Sequence, residues 1–254
     1  MQNEVDVMEY NMSFPKELNK VKENRIPFVI CGGTVEYHGP HCSYGCDTLI
    51  AEGLIKKLAE KKEIMIAPTI YYSPSSYAVA DETSGTVHIE EDIFEAYLMG
   101  IFTNMLDAGL RNIYVVIHHQ FEQENLMPMT LSYMKAAKRA TMRYLEKTQG
   151  RGWWGSENFA SYYENLGGGD DPFSWIKVIP TMSTEVQNAT GYDHAGKYEC
   201  SGLEALYPGI IKLDRLQDTD DWFAQSASEM SIELGKRGVA EIVEEHVKFI
   251  KSDR

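Results

Sequence analysis

Basic residues are scarce in this chain. Twenty-four Lys and Arg stand against 38 Asp and Glu, a formal net charge of −14. Affinity for a phosphate backbone comes from clustered Lys and Arg, so no nucleic-acid partner is expected. The same charge repels an anionic membrane surface. Long apolar runs are also missing, and none approaches the ~18 residues that a membrane span needs. The first eighteen residues have neither a cationic stretch nor an apolar one, so the reading is a cytoplasmic protein with no leader. Cysteine is sparse: Cys31, Cys42, Cys46 and Cys200. Four are too few for a disulfide scaffold of this length, so reduced thiols are expected. Cys42-x-x-x-Cys46 has half the spacing of a zinc site, but no second Cys/His pair completes it. No serine sits in a Gly-x-Ser-x-Gly elbow, which removes the commonest signature of a serine nucleophile. Repeats and low-complexity tracts are absent as well.

What is present is ordinary globular material, 254 residues with 43% hydrophobic side chains, read as one domain over 1–254. Four apolar runs read as buried strands: Ile26–Cys31, Ile64–Ile70, Asn112–Ile117 and Trp175–Ile179. Pro68 marks the end of the second. Helical spacing appears between them. Ile50, Leu54 and Leu58 define a helix over 47–60. Phe94, Tyr97, Leu98, Ile101, Phe102, Met105 and Leu106 form an apolar stripe closed by Gly109. Residues 126–145 and 227–251 are mostly helix formers, with Pro128 tolerable only near its helix start. Strands alternating with helices predict an α/β fold, a mainly parallel sheet covered on both faces. Residues 71–89, 149–173 and 181–198 read as irregular. In such sheets ligands collect beyond the carboxyl ends of the strands.

Three polar clusters follow. The densest is Gly33-Thr34-Val35-Glu36-Tyr37-His38-Gly39-Pro40-His41, with Asp47 soon after. Glu36 and His38 are two apart, so in an extended segment they share a face. Two carboxylates and an imidazole suit Zn, Mn or Fe. The plainer reading makes Asp47 a helix cap and His38 a loop residue, yet charges at a strand end are costly without a partner. The second cluster is Ile117-His118-His119-Gln120-Phe121-Glu122-Gln123-Glu124-Asn125, after the third strand. Adjacent histidines on an extended chain point apart, so only one is expected to enter a pocket. The third is Asp193-His194-Ala195-Gly196-Lys197-Tyr198-Glu199-Cys200-Ser201, a Gly-containing loop ahead of a short helix, where a His beside an acid suits proton transfer.

Gly33-x-x-Glu36-x-His38-Gly39-Pro40-His41, followed by Gly45-x-Asp47-Thr48, resembles the creatininase (creatinine amidohydrolase) family. His194-Ala195-Gly196-x-x-Glu199-x-Ser201 is similar to a later motif of that family, with Cys200 where Thr is usual. The resemblance spans about Ile26 to Gly209. It implies a three-layer α-β-α sandwich and a cofactor of two divalent ions. Glu36 then holds one ion, His38 the other, and Asp47 bridges them. Where this chain has His118-His119-Gln120, the family has Asn-Gly-His. The ungapped match puts Gln120 at a ligand His, Phe121 at a substrate-contacting Tyr and Glu122 at a ligand Glu. Two assignments stay open: Gln120 coordinates through its amide oxygen, or His119 supplies the nitrogen. His194 matches a catalytic histidine, with Asp193 beside it. Glu199 falls in or near the metal shell. The segment of Ser75, Ser76 and Gly85-Thr86 matches a substrate-contacting stretch, which nominates Ser76. Trp153 and Trp154 either wall the pocket or pack in the core. The implied activity is opening of a small cyclic amide at its C–N bond by metal-activated water, in a homo-oligomer such as a hexamer. The alternatives are C–C cleavage of an oxidised inositol diketone and a non-catalytic metal-binding relative.

Overall fold

The structure is a computed structural model that describes residues 7–119, 126–164, 166 and 171–252. In chain order its elements are β1 (Met8–Glu9), α1 (Pro15–Glu23), β2 (Phe28–Gly32), α2 (Cys46–Ala59), β3 (Met65–Ile66), α3 (Glu91–Asp107), β4 (Ile113–Ile117), α4 (Pro128–Gln149), β5 (Ile176–Pro180), α5 (Thr184–Thr190), α6 (Lys197–Leu206) and α7 (Ile232–Phe249). Short 3-10 turns fill much of the rest.

The five strands form one parallel sheet in the order β1-β3-β2-β4-β5. Its alternation sorts the core into layers. Phe28, Ile30, Ile113, Val115 and Ile117 face one side, where they pack on α1, α3 and α4 through Val21, Phe94, Phe102, Tyr133 and Ala136. Val29, Cys31, Tyr114 and Val116 face the other, against α2 and Ile250 just past α7. A third cluster joins α2, α6 and α7 through Leu54, Leu203 and Ile242. The fold is thus the α/β sandwich with covered faces that the periodicity predicts.

Three boundaries differ from expectation for local reasons. The Ile64–Ile70 run gives a strand of only two residues, because Pro68 removes a ladder donor. Pairing resumes at Ile70, whose N–H donates to Cys31 O at 2.9 Å. Within 181–198, Ser183 caps α5 by accepting from the Val186 N–H. The C-terminal helix starts at Ile232 instead of 227, since Ser231 caps it and residues 222–229 wind as a 3-10 helix. Pro128 stands at the start of α4, where it removes no helical bond.

Chain order on the sheet reverses at β2. The β2–α2–β3 unit steps to one side, and β4 then pairs with the other side of β2, Gly32 beside Ile117. The carboxyl ends of these two strands therefore flank a topological switch point, where a crevice opens. The first two polar clusters leave the sheet there.

Candidate metal centre

Beyond β2 the chain turns across the start of α2. Gly33 permits this approach: a Cβ there would lie 2.6 Å from the backbone N and Cα of Thr48. Thr48 Oγ1 donates to Thr34 O at 3.0 Å, and Glu36 N–H donates to Tyr44 O at 2.9 Å. Thr86 Oγ1 accepts from the Tyr37 N–H, so this residue of the nominated substrate segment braces the loop. These bonds carry Glu36 and His38 to the first turn of α2, which holds Asp47. No side chain caps α2, so Asp47 is free of the capping role.

All three side chains are buried and face one another. His38 Nδ1 lies 3.0 Å from Glu36 O, and a carbonyl can only accept. Nδ1 therefore carries a proton, and Nε2 faces Asp47 Oδ2 and Glu199 Oε2, each 3.6 Å away. From β4, His119 brings Nδ1 to 3.4 Å from Glu36 Oε2 and 3.8 Å from Asp47 Oδ2. His118 Nε2 reaches Glu199 Oε1 at 3.3 Å. Both histidines thus enter, contrary to the alternation expected of an extended chain. The reason is local: His119 has φ 144, in the region L side chains rarely adopt, and this re-aims its side chain. Gln120, Phe121 and Glu122 lie outside the described residues.

From the third cluster, the His194 ring stacks on His38 with centroids 4.2 Å apart and meets the edge of Phe223 at 5.1 Å. Its Nε2 is 3.2 Å from Tyr37 O. Asp193 directs its carboxylate elsewhere, accepting from the Glu199 N–H at 3.1 Å and from Ser226 Oγ at 3.3 Å. That makes it a brace for the start of α6. The short helix begins earlier than expected, at Lys197, which puts Glu199 in its first turn. Ala195 N–H donates to Glu199 Oε2 at 2.6 Å, so Glu199 points back to the centre.

The electrostatics are those of a place built for positive charge. Burial pushes the Glu36 carboxyl up to about 7 and Asp47 well above the usual range. Burial and neighbouring imidazoles push His119 down to about 3. Burial works against the His38 cation, but Asp47 and Glu199 bring it up to about 9. Burial also opposes the Glu199 anion, yet His38 and His118 hold it down to about 2. Glu36 Oε2, His38 Nε2, Asp47 Oδ2 and His119 Nε2 are all buried without a hydrogen-bond partner. Orphans of this kind are costly, and those of Glu36, His38 and Asp47, which face one another, point to a missing common partner. Ligand atoms of Glu36, Asp47 and His119 lie within 4.8 Å of one another, as do those of Asp47, His118 and Glu199, and those of Glu36, His38 and His194. Asp47 belongs to two of these groups. The oxygen and imidazole donors fit Zn or Mn.

A cavity of about 340 Å³ opens on the cluster. Val79, Ile117, Met182 and Tyr192 supply apolar walls, with Thr181 and Gln187 as polar ones. The segment nominated for substrate contact contributes Val79, whereas the Ser76 N–H donates to His88 Nδ1 at 3.0 Å. The tryptophans do not line this cavity. Trp153 packs on Phe159 with centroids 4.9 Å apart, and Trp154 is exposed beside Tyr162 and Tyr163. All four cysteines are free thiols. Cys46 lies within 4.8 Å of His38 and Glu199 ligand atoms, so it borders the centre without forming a finger-like site.

The creatininase model (creatinine amidohydrolase) matches residues 12–250. The chain belongs to the creatininase family. A creatinine amidohydrolase of Pseudomonas putida is 24% identical over 193 residues, 73% of this chain and 66% of that relative, just under two thirds of its length. A solved creatininase with Mn superposes with a TM-score of 0.73 at 18% identity, covering 96% of this chain and 98% of that one. A creatinine amidohydrolase homologue from Bacteroides fragilis gives 0.59 at 18% identity over 96% and 94%. These structures share the fold with the family's chain. Among the described residues no helix is long and apolar enough to cross a membrane.

Proposed function

We propose that this chain is a metal-dependent amidohydrolase that opens a small cyclic amide at its C–N bond. One observation carries the reading: buried polar atoms of Glu36, His38 and Asp47 face one another without partners, and Glu36 and Asp47 line a cavity of small-molecule size. Glu36, Asp47 and His119 would hold one divalent ion. His38, Asp47 and Glu199 would hold a second, with Asp47 shared; Glu122 is a further ligand by the family resemblance. Between Gln120 and His119 as the ligand that follows β4, His119 is favoured, because its ring is already beside Glu36 and Asp47. Bound there, two divalent ions supply an acidified water and an electrophile for a carbonyl.

The chain's own residues do the rest. Glu36 O holds a proton on His38 Nδ1, so Nε2 is the nitrogen turned to the ion, which would take the place of the second ring proton. Tyr37 O fixes the His194 proton on Nε2 in the same way, so His194 keeps a free base nitrogen at Nδ1. Burial, reinforced by His38, pushes His194 below the ordinary histidine range, so it is neutral near pH 7. It can take a proton from the attacking water and return it to the departing ring nitrogen. The apolar walls limit competing water. The Pseudomonas putida relative is a creatinine amidohydrolase, and a further solved creatininase, a mutant, is complexed with creatine, which favours C–N over C–C cleavage. A cytoplasmic homo-oligomer completes the proposal.

The test is the divalent-ion content per chain of the parent and of Asp47→Ala, by mass spectrometry, followed by a turnover assay on creatinine and related cyclic amides. Close to two ions in the parent and a clear loss in the variant are expected. A parent that takes up no ion after loading with Zn or Mn refutes the reading.

A further inference from the structure

We infer that His118 is a positioning residue that orients the Glu199 carboxylate and does not itself coordinate an ion. The inference rests on the proposed metal centre and assigns a role to the histidine that the centre leaves unused.

The argument is one of hydrogen-bond accounting. His118 leaves β4 with its backbone N–H donating to Gly32 O at 3.0 Å, which pins its Cα to the sheet end. Its Nε2 lies 3.3 Å from Glu199 Oε1, and its Nδ1 lies 2.7 Å from Thr181 Oγ1. A carboxylate only accepts, so Nε2 carries the ring proton. The Thr181 hydroxyl then donates to Nδ1. Both ring nitrogens are satisfied, and no lone pair is left for a cation. His38 differs in this respect, since its buried Nε2 has no partner and faces Asp47 and Glu199.

The far side of the ring is fixed as firmly. Thr181 N–H donates to Ile117 O at 2.9 Å, and Thr181 O accepts from His246 Nε2 of α7 at 2.7 Å. The edge contact with Tyr192, 5.8 Å between centroids, blocks ring rotation. A rigid chain therefore runs from α7 through Thr181 and His118 to Glu199. The other Glu199 oxygen accepts from Ala195 N–H. With each oxygen taken by a separate donor, the carboxylate plane cannot turn.

The test uses Mn²⁺ alone as the probe, titrated into the metal-free full chain. His118→Ala is expected to raise the Mn²⁺ dissociation constant by about 10- to 100-fold, the usual effect of losing a group that orients a ligand. His118→Asn can donate through its amide and should recover most of that loss while both ions still bind. Thr181→Val, which removes the hydroxyl at constant shape, should give a smaller loss in the same direction. A merely structural role predicts a lower melting temperature of the metal-free protein with no rescue by Asn. Parent-like affinity in His118→Ala overturns the inference alone. So does an ion count that falls from two to one in His118→Asn, because that marks a direct ligand. If His118→Ala does not fold, unchanged affinity in Thr181→Val decides against it. A parent that binds no Mn²⁺ overturns the proposed function, and this inference falls with it.

Discussion

Glu95 and Asp47 are both buried carboxylates on helices that cover the sheet, 7% and 3% exposed, and their surroundings are opposite. Glu95 on α3 faces Lys135 at 2.6 Å and Arg139, both from α4. Burial works against its charge, but the two cations bring its carboxyl below the ordinary value. Asp47 on α2 has two other carboxylates and two histidines around it, and burial drives its carboxyl upward. The first site carries its cations in the sequence and ties α3 to α4. The second is short of positive charge, and its donor atoms are arranged as ligands. Burial alone does not tell these two carboxylates apart; the source of the counter-charge does.

That contrast can be broken at several points. The largest effect is expected from Asp47→Ala, which should abolish divalent-ion binding and turnover together. Retention of both ions, measured by mass spectrometry, would return Asp47 to a structural role. His194→Ala should keep the ions and lower kcat by about 10²- to 10⁴-fold, the range for a general acid–base group. Chelation comes next. At 100 times the dissociation constant a bound ion stabilises by about 2.7 kcal/mol. Its removal should then lower the melting temperature by roughly 5–10 °C, at about 2–4 °C per kcal/mol for a chain of this size.

Glu95→Ala is the matching change at the other carboxylate. Its partners are exposed, so the loss should be about 1 kcal/mol, roughly 2–4 °C in melting temperature, with ion content unchanged. Any fall in ion content on that variant would mean the two regions are coupled. The smallest effect concerns acid. The Glu95 carboxyl titrates lower in the folded chain than in the unfolded one. Its contribution is therefore complete above the unfolded value and fades as pH falls through the folded one. The parent should lose stability over that acid range more steeply than Glu95→Ala, by thermal melts at stepped pH.

Where hydrophobic period and length were sufficient, the architecture was legible in the sequence. The runs at Phe28–Gly32 and Ile113–Ile117 and the stripe along α3 all stand close to where periodicity puts them. Elements that bury little left weak signals. β1 has two residues, and α1 buries only Val21 among nine. α5 lies in a stretch that reads as loop, although Ser183 is a fair capping signal. At the centre, Glu36, His38 and Asp47 were readable from spacing and type. His118 and His119 were not both readable, because alternation assumes a β backbone and φ 144 departs from it. The direction of Asp193 was unreadable for a related reason. Adjacency to His194 says nothing about direction, and its oxygens bond the start of α6.

The close approach of Gly33 to Thr48 has a consequence for genetics. Every missense change at a glycine codon adds at least a methyl group. At this position that group meets the backbone of α2 at 2.6 Å and pushes the loop away from the helix. Glu36 would then part from Asp47 although neither had been altered. A random-mutagenesis screen scored on loss of ion binding should therefore return codon 33 alongside codons 36 and 47, a hit without a single ligand atom.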